Sequence, residues 1–274
     1  MKPTVCVVGL GQIGGSLAAA LTRRRLARVT GATRRAETAR RARRMGIVAE
    51  AGTDLRAAAE ADVVVLATPV RTLLRQIPLV APLVRPGAVL TDVGSTKREI
   101  LEAFRQSAPR AAVVGGHPMA GNEKAGLDGC DPDLFEDRPW VLIPGPRADR
   151  RARRLLETLV ASVGARPVWM DDPARHDLTV ARISHVPYLL AYALMEQPGP
   201  ELRVAGNSFR DATRVAQSDP DMVLDFLLTN RGPVARAAGE LAARLRALAR
   251  LVERGAEKGL RRRLEKALER RSGL

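Results

Sequence analysis

The stretch Val8-Gly9-Leu10-Gly11-Gln12-Ile13-Gly14 decides the fold prediction, because of what lies on either side of it. An apolar run, 4–8, leads into it, and residues 16–25 have the spacing of a helix. A strand, a glycine-rich turn and a helix in this order are typical of the first unit of a dinucleotide-binding sheet. Glycines also occur at ordinary strand-to-helix turns, so the motif alone leaves that alternative open.

Each glycine of the motif has its own predicted task. Gly9 makes the tight turn, Gly11 lets a pyrophosphate come close to the backbone, and Gly14 lets the helix pack on the strand. The phosphates are expected at the positive N-terminal end of the helix, where Gln12 and Ile13 lie. We predict cofactor contacts at all five positions.

The end of the second strand predicts which dinucleotide binds. An NAD-binding unit carries a carboxylate there for the ribose 2′-hydroxyl, but this sequence has Thr33-Arg34-Arg35 and no carboxylate before Glu37. A hydroxyl and two guanidinium groups suit the 2′-phosphate of NADP. We predict NADP as the cofactor, with NAD as the second choice. The alternative is that these arginines only begin an arginine-rich helix that continues to Arg44.

The net charge of +15 does not by itself indicate nucleic-acid binding. Forty arginines and five lysines are spread over every helix-like segment, and aromatic residues for base stacking make up only 3% of the chain. We expect no nucleic-acid partner. A positive field would still speed the capture of anionic substrates and cofactors.

The cysteines and the apolar runs predict the cellular setting. Cys6 lies in the first strand and Cys130 in a polar loop, so neither a disulfide framework nor a metal-ligand cluster is expected. The sequence has no signal-peptide pattern at its start and no run near the ~20 apolar residues that a membrane span needs. We expect free thiols, no metal, no membrane contact and a cytoplasmic location.

Short apolar runs alternate with helical segments through the first part of the chain. Such alternation predicts an α/β, Rossmann-type domain with a doubly wound, mostly parallel sheet over residues 1–171. Ligands of such sheets bind beyond the carboxyl ends of the strands. The predicted strands after the second are 62–67, 88–91, 111–114, 140–143 and 167–170, and predicted helices between them include 70–83, 96–107 and 150–163.

Strand patterns stop near Asp172. The helical segments that follow are 174–196, 201–216, 221–230 and the stretch from 232 to the C-terminus. We predict an all-α substrate and dimerisation domain over 172–274, and a homodimer, because these helices offer more apolar faces than one small domain covers. The densely charged end, 253–274, is expected to project or fray.

Three predicted strand ends carry polar residues at the expected ligand-binding edge. They are Thr68-Pro69, the loop with Ser95, and Gly115-Gly116-His117. His117 lies between a double glycine and a proline, a setting for a fixed loop side chain that can act as a base near neutral pH. A purely structural loop histidine is the alternative.

The other two histidines lie at the start of the helical part. We expect His176 to brace its helix through Asp177. His185, with Ser184, comes just before a proline in the first long helix. For these two residues a substrate contact and a packing role are equally open.

Arg210 and Arg214 have the i, i+4 spacing that places two side chains on one helix face. Two cations on one face could receive a dianionic substrate. Arginine is so common in this chain that neither residue alone would indicate a site.

Five segments together resemble the prephenate and arogenate dehydrogenases of tyrosine biosynthesis. The resemblance extends from about residue 4 to residue 230, and GGHPMAG combined with SHVP and FRDATR is far more specific than the dinucleotide motif. In chain order the segments are GLGQIGGS (9–16), DVGSTK (92–97), GGHPMAG (115–121), HDLTVARISHVPY (176–188) and NSFRDATRVAQSDP (207–220).

The resemblance implies an NAD(P)-dependent oxidative decarboxylation of a cyclohexadienol. The family's catalytic histidine corresponds to His117. It would accept the proton of the ring hydroxyl while hydride passes to the nicotinamide from the ring carbon that bears this hydroxyl. Loss of the ring carboxylate as CO2 then makes the ring aromatic. The family's active-site serine corresponds to Ser95, which would orient the hydroxyl and His117.

The resemblance also implies which residues bind the substrate. The family's substrate-binding histidine corresponds to His185 beside Ser184, and its substrate-binding arginine to Arg214. Glu123 and Arg210 match positions that help to gate the pocket in some members.

One departure bears on the substrate. Tyr188 stands where many members that use prephenate have a second histidine, and its hydroxyl can accept a hydrogen bond from the ammonium of arogenate. The remaining donors at the site are cationic or neutral and favour the keto acid, so we expect prephenate to be used at least as well as arogenate. The alternatives are another NADP-linked dehydrogenase, of the 3-hydroxyacid dehydrogenase or imine reductase type, and a non-catalytic NADP-sensing protein.

Overall fold

The computed structural model describes residues 2–107, 109–122, 124–197 and 199–273. Its strands are β1 Thr4–Val8, β2 Arg28–Ala32, β3 Glu50–Gly52, β4 Val63–Leu66, β5 Val89–Asp92, β6 Ala112–Pro118, β7 Pro139–Pro144 and β8 Arg166–Trp169. They form one sheet in the order β3-β2-β1-β4-β5-β6-β7-β8. All neighbouring strands are parallel except β6 and β7. The predicted doubly wound, mostly parallel sheet is therefore confirmed.

The antiparallel pair has a simple cause in the chain connection. Parallel neighbours need a long crossover, usually an α-helix, to bring the chain back to the same edge. Between β6 and β7 the described residues, 119–122 and 124–138, contain no α-helix and one short 3₁₀ turn, Gly126–Gly129. The chain therefore returns alongside β6 in the opposite direction. The edge strand β3 was not predicted, because Glu50-Ala51-Gly52 is short and has no apolar alternation.

Five helices cover the sheet and six more follow it, counting the described parts of the chain. Those around the sheet are α1 Gln12–Arg23, α2 Ala36–Arg44, α3 Val70–Val80, α4 Arg98–Gln106 and α5 Arg150–Ser162. Those after it are α6 Pro173–Val180, α7 Val186–Glu196, α8 Asn207–Thr213, α9 Pro220–Thr229, α10 Arg231–Glu253 and α11 Glu257–Ser272.

The sheet is buried on both faces, which explains why β1 reads as a continuous apolar run. Val5 and Val7 point to one face, where Leu17 of α1 completes the packing. Cys6 and Val8 point to the other face, which α3 and α4 cover. Successive residues of a strand point to opposite faces, so one short run contributes to two cores.

Two aspartates of the C-terminal helices hold these helices against the sheet. Asp177 of α6 accepts hydrogen bonds from the backbone N–H groups of Lys97 and Arg98, at the start of α4. Asp225 of α9 accepts from the backbone N–H groups of Val70 and Arg71, at the start of α3. The first N–H groups of a helix have no partner within it and carry partial positive charge, so each carboxylate stabilises a helix N-terminus. Both contacts lie at the carboxyl edge of the sheet, because α3 and α4 directly follow β4 and β5.

The predicted helix over 201–216 is wrong in its length. The structure has a 3₁₀ segment at Pro200–Val204, then α8, then a second 3₁₀ segment at Arg214–Gln217. Helix α8 ends because Thr213 leaves the helical region, with φ −106° and ψ 2°. The long C-terminal helix is likewise divided, since α10 ends at Glu253 and α11 begins at Glu257.

Helices α6 and α7 join through a π-helical turn, Ala181–His185, into one helix of 24 residues. Among the described helices it alone is long and apolar enough to cross a membrane, with a mean hydropathy of 1.2. The sequence predicted this helix as 174–196 but showed no run of ~20 apolar residues, because Arg182, Ser184 and His185 interrupt it. Helices of soluble proteins also meet this criterion, so it is weak evidence for a membrane span. Only 28% of its most apolar window is buried within the single chain.

Candidate active site

The turn between β1 and α1 has the geometry that its glycines predict. Gly9 has φ +105°, and a Cβ atom there would lie 2.6 Å from the carbonyl oxygen of Ala67. A Cβ on Gly14 would lie 2.0 Å from the carbonyl oxygen of Gly9 and 2.9 Å from the Cβ of Ala67. Helix α1 can therefore lie this close to the sheet only without side chains at these two positions.

The space in front of α1 fits a phosphate group. A Cβ on Gly11 would meet nothing within 4 Å, and no side chain caps the N-terminus of α1. The Gln12 amide points elsewhere, because its Nε2 donates to the carbonyl oxygen of Asn122 at 2.9 Å. Ile13 packs against the core. Both residues therefore present only backbone N–H groups to a ligand, and these groups suit an anion.

The predicted ribose-binding residues lie at the end of β2. Thr33 is half-buried and donates its backbone N–H to the carbonyl oxygen of Gly52 at 2.9 Å, while Arg34 and Arg35 are exposed. Neither arginine forms an ion pair with a described residue. Arg35 also precedes the arginine-rich helix α2, so both interpretations of this segment agree with its local structure.

At the end of β4, the Thr68 hydroxyl donates to the Gln76 Oε1 atom at 2.7 Å, and Pro69 precedes α3. This hydrogen bond fixes the loop that approaches Gly9. A contact of Thr68 and Pro69 with the cofactor stays a prediction.

A fully buried ion pair supports the end of β6, where His117 lies within the strand and not in the predicted loop. Lys97 contacts the carboxylate of Asp92, and both side chains are 0% exposed. Asp92 also accepts hydrogen bonds from the backbone N–H groups of Gly94 at 2.8 Å and Gly116 at 3.3 Å. Burial raises the pKa of Asp92 and lowers the pKa of Lys97, while their mutual attraction opposes both shifts. The pair ties the end of β5 to β6, one residue before His117.

His117 lies near the end of β6, and its ring contacts a second histidine. Its Nδ1 atom is 2.9 Å from the Nε2 atom of His176, and the two rings meet edge to face with centroids 5.1 Å apart. Burial holds the pKa of His117 well below its usual range, and the nearby charges of His176, Lys97 and His185 lower it further. His117 is therefore neutral at pH 7, as a base must be.

Ser95 is half-buried in the loop between β5 and α4. No hydrogen bond joins it to His117 within the described residues; the next residue, Thr96, contacts the Thr229 hydroxyl at 3.3 Å. The predicted role of Ser95 in orienting His117 stays a prediction.

His185 is buried in the π-helical turn with one ring nitrogen unpaired. Asn230 donates from Nδ2 to the carbonyl oxygen of Asp177 at 2.8 Å, and the same nitrogen is 3.2 Å from Nδ1 of His185. An NH2 group only donates, so Nδ1 accepts and the proton lies on Nε2. This Nε2 is buried without a partner among the described residues. Burial lowers the pKa of His185 to about 4. A neutral, buried N–H donor without a partner is the kind of group that a ligand satisfies.

Aromatic rings complete this side of the site. Phe226 stacks on His185 with ring centroids 4.6 Å apart and meets Tyr188 edge to face at 5.1 Å. Tyr188 and Ser184 are both half-buried. The structure thus places His185 and Tyr188 around one ring, but it gives Ser184 no hydrogen bond among the described side chains.

The structure does not place the predicted cationic pair, Arg210 and Arg214, on one α-helical face. Arg210 is exposed in α8 and donates from Nε to the carbonyl oxygen of Ala205 at 3.4 Å. Arg214 is also exposed but lies one residue beyond the end of α8, so the two do not share a continuous α-helical face. Glu123 lies outside the described residues.

Sequence reasoning missed the residues that connect these groups. Asp92, Lys97 and Asn230 were given no role, and His176 was expected only to brace its helix. That bracing contact exists, since His176 Nδ1 lies 2.8 Å from Asp177 Oδ1, but the opposite nitrogen reaches His117. An apolar strand that ends in an aspartate, as β5 does, was the one signal in the sequence for the buried pair.

The buried histidines predict a specific pH dependence of stability. In the folded protein His185 stays neutral down to about pH 4, whereas an unfolded histidine binds a proton below about pH 6.5. The unfolded state thus binds more protons between these values, so the free energy of unfolding falls as the pH drops. His185 alone should contribute a loss of about 2 kcal/mol between pH 7 and pH 5. Urea denaturation of the wild type and of His185→Asn measures it; an identical pH dependence in both proteins would refute it.

The carboxyl edge of this mostly parallel sheet carries a glycine-rich turn after β1 and a buried, neutral histidine at the end of β6, and helices pack against it. This combination defines a two-domain dehydrogenase of the dinucleotide-binding class. The family model described as prephenate dehydrogenase, nucleotide-binding domain, matches residues 17–169, and the one described as prephenate dehydrogenase, dimerization domain, matches residues 172–266. The chain belongs to the prephenate dehydrogenase family.

Individual relatives agree with this assignment. The chain is 36% identical to the prephenate dehydrogenase of Bacillus subtilis over 245 residues, 85% of this chain and 66% of that protein. It thus spans slightly less than two thirds of that relative's length. The crystal structure of prephenate dehydrogenase from Aquifex aeolicus with hydroxyphenyl propionate and NAD+ superposes with a TM-score of 0.89 at 30% identity, covering 99% of this chain and 98% of that one. Arogenate dehydrogenase from Synechocystis superposes with a TM-score of 0.85 at 30% identity, covering 98% and 99%.

Proposed function

We propose that this protein catalyses the oxidative decarboxylation of prephenate to 4-hydroxyphenylpyruvate with NADP as the oxidant, in tyrosine biosynthesis. The observation that supports the proposal is the neutral, buried His117 at the end of β6, on the same carboxyl edge of the sheet as the glycine-rich turn, together with the unpaired N–H of buried His185 in the helical part. A base and a neutral donor in one buried site suit removal of a hydroxyl proton from a bound ring compound.

The protein's residues have distinct tasks in this reaction. His117 takes the proton of the ring hydroxyl, and Ser95 orients that hydroxyl. The nicotinamide, when bound, accepts the hydride. Loss of CO2 makes the ring aromatic and supplies a large driving force, so positioning is most of what the protein provides.

Binding of the substrate falls to residues of the helical part. Arg214 holds a carboxylate, and His185 offers its Nε2–H. Ser184, Tyr188 and Arg210 line the site, and Glu123 helps to gate it. Since these groups include cations and neutral donors but few carboxylates, we propose that prephenate is used at least as well as arogenate. Tyr188 is the residue that favours arogenate, because its hydroxyl can accept from an ammonium.

NADP is proposed over NAD because Thr33, Arg34 and Arg35 replace the usual carboxylate at the end of β2. The Aquifex relative, at 30% identity, was crystallised with NAD+. The preference of this chain therefore depends on its own residues at this strand end.

Arg34→Ala is expected to weaken NADP binding by about 1–3 kcal/mol and to leave NAD binding nearly unchanged, because only NADP offers a phosphate to the lost guanidinium. Fluorescence titration of both nucleotides measures the difference. Arg44→Ala, at the far end of the same arginine-rich segment, is the matched control. Equal losses for both nucleotides, or a wild-type preference for NAD, would remove Arg34 from the cofactor site.

A homodimer is proposed through the helices after residue 172. Several large apolar side chains are exposed on α9 and on the helix of residues 173–196, including Ile183, Leu190, Leu224 and Leu228. A second copy of the chain would cover such faces. Sedimentation at micromolar concentration is expected to show a dimer, and a monomer would contradict the proposal.

We also propose that residues 1–171 and 172–274 are the two domains and that the protein works in the cytoplasm without a membrane or nucleic-acid partner. The division fits the change from strands to helices between Trp169 and Pro173. The 3-hydroxyacid dehydrogenase and imine reductase alternatives are not favoured, because both family models are those of prephenate dehydrogenases.

The test of this function is an absorbance assay of nucleotide reduction by the purified protein. Prephenate and arogenate are each offered with NADP and with NAD, and 3-hydroxyisobutyrate is the control substrate. We expect turnover of prephenate with NADP and none of the control. A tenfold or greater preference for arogenate would overturn the substrate assignment. Nucleotide binding without any turnover would indicate an NADP-sensing protein instead.

A further inference from the structure

Three buried side chains form a continuous hydrogen-bonded chain. His117 Nδ1 lies 2.9 Å from His176 Nε2, and His176 Nδ1 lies 2.8 Å from Asp177 Oδ1. The three residues are 8%, 0% and 3% exposed. Water cannot readily reach these contacts. The positions of the ring protons therefore depend on the hydrogen bonds among these three residues, beginning with those that Asp177 accepts.

Asp177 determines which group donates in each of these hydrogen bonds. Its carboxylate also accepts hydrogen bonds from the backbone N–H of Lys97 at 2.7 Å through Oδ1 and from that of Arg98 at 3.0 Å through Oδ2. A carboxylate that accepts with both oxygens needs no proton of its own, so His176 donates to it from Nδ1. A neutral His176 then has a bare Nε2 atom, which can only accept from His117 Nδ1–H.

We propose that His176 and Asp177 are positioning residues that hold the proton of neutral His117 on Nδ1 and so leave the lone pair of Nε2 for the substrate proton. The catalytic meaning of this inference rests on the proposed function, whereas the proton positions concern these side chains alone. Within the described residues the His117 ring has no other hydrogen bond that would select one of its two neutral forms.

The same chain stabilises the charge that forms during turnover. When Nε2 of His117 takes the hydroxyl proton, the ring becomes an imidazolium and keeps its Nδ1–H bond to His176. His176 in turn donates to the Asp177 carboxylate, which therefore opposes the new positive charge through one intervening ring. Two other titratable groups act on His117. Lys97, which is paired with Asp92, disfavours the protonated form of His117 as a cation, whereas His185 is neutral at pH 7. The carboxylate of Asp177 offsets that cost.

His185 provides an internal comparison. Its Nδ1 accepts from Asn230, so its proton lies on Nε2, the opposite arrangement to that inferred for His117 and His176. The sequence contains three histidines. A spectrum of all its imidazole nitrogens therefore contains only three rings, two expected with the proton on Nδ1 and one with the proton on Nε2.

The first experiment is NMR of the full-length protein labelled with ¹⁵N-histidine, without substrate, at pH 7. Long-range ¹H–¹⁵N spectra distinguish a protonated from a bare ring nitrogen, and His117→Asn and His185→Asn assign the signals. We expect His117 and His176 to carry the proton on Nδ1 and His185 to carry it on Nε2. A proton on Nε2 of His117 in the wild type would overturn the proposal.

The second experiment removes the acceptor. His176→Asn is expected to populate both neutral forms of His117 and to lower kcat by about 10–10²-fold with less than about a twofold change in KM. Val180→Ala, a buried change on the same helix, should lower stability without moving the His117 signals. An unchanged kcat in His176→Asn, or the same spectral change in Val180→Ala, would also overturn the proposal.

The two experiments separate this inference from the proposed function. The spectra need no substrate, so the expected proton positions in a protein that does not turn over prephenate would refute the function alone. Turnover by a protein with the proton on Nε2 of His117 would refute the positioning role alone.

Discussion

His117→Asn is expected to lower kcat by about 10²–10⁴-fold, with a much smaller change in KM. An amide of similar size can fill the space beside His176, but it cannot accept the hydroxyl proton. The loss should therefore fall on the chemical step and leave substrate binding largely intact. Steady-state kinetics with prephenate and saturating nucleotide measure both constants. Wild-type turnover in this variant would mean that His117 is structural.

Arg214→Ala is the matched control for that experiment, because it removes a proposed binding group and leaves the base in place. We expect KM for prephenate to rise first, with kcat less affected. The opposite patterns in the two variants would separate proton removal from substrate binding. An unchanged KM would exclude Arg214 from the substrate site.

Gly11→Ala and Gly14→Ala are expected to fail in opposite ways. A Cβ on Gly11 projects into open space, and its backbone conformation, φ −93° and ψ −156°, is open to alanine. Stability should therefore change by less than about 0.5 kcal/mol. The methyl group would occupy the space in which a pyrophosphate approaches α1, so nucleotide affinity should fall by about 10–10²-fold.

The Gly14→Ala methyl group instead meets the carbonyl oxygen of Gly9 at 2.0 Å, so α1 must move away from β1. Overpacking of this kind costs about 1–3 kcal/mol of stability. Thermal unfolding and nucleotide titration of both variants provide the comparison. Full nucleotide affinity in Gly11→Ala would mean that the cofactor does not approach α1 as proposed.

Most strands and helices could be predicted from the sequence because the patterns that indicate them lie within short segments. The β1 run, the glycine turn and the apolar helical spacing each occupy fewer than about 20 residues and need no distant partner to be recognised. The predicted helix over 201–216 was wrong for the same reason. Its ends depend on the backbone turn at Thr213 and on packing against other helices, which no local period reveals.

The site was only partly predictable, since its hydrogen bonds join residues far apart in the chain. His117 stood out through its strand end and its neighbouring glycines and proline. Its partner His176 is 59 residues away, and Asn230 lies 45 residues beyond His185. A sequence shows that such residues exist, but their distances arise only when α6 packs against α4 and the end of β6.

The stoichiometry of the reaction tests the central claim most directly. Prephenate labelled with ¹⁴C in the ring carboxylate is turned over by the wild type, and reduced nucleotide and labelled CO2 are counted in the same sample. The account predicts one CO2 for each nucleotide reduced, and the loss of both together in His117→Asn. Reduced nucleotide without CO2, or CO2 release without reduced nucleotide, would contradict it.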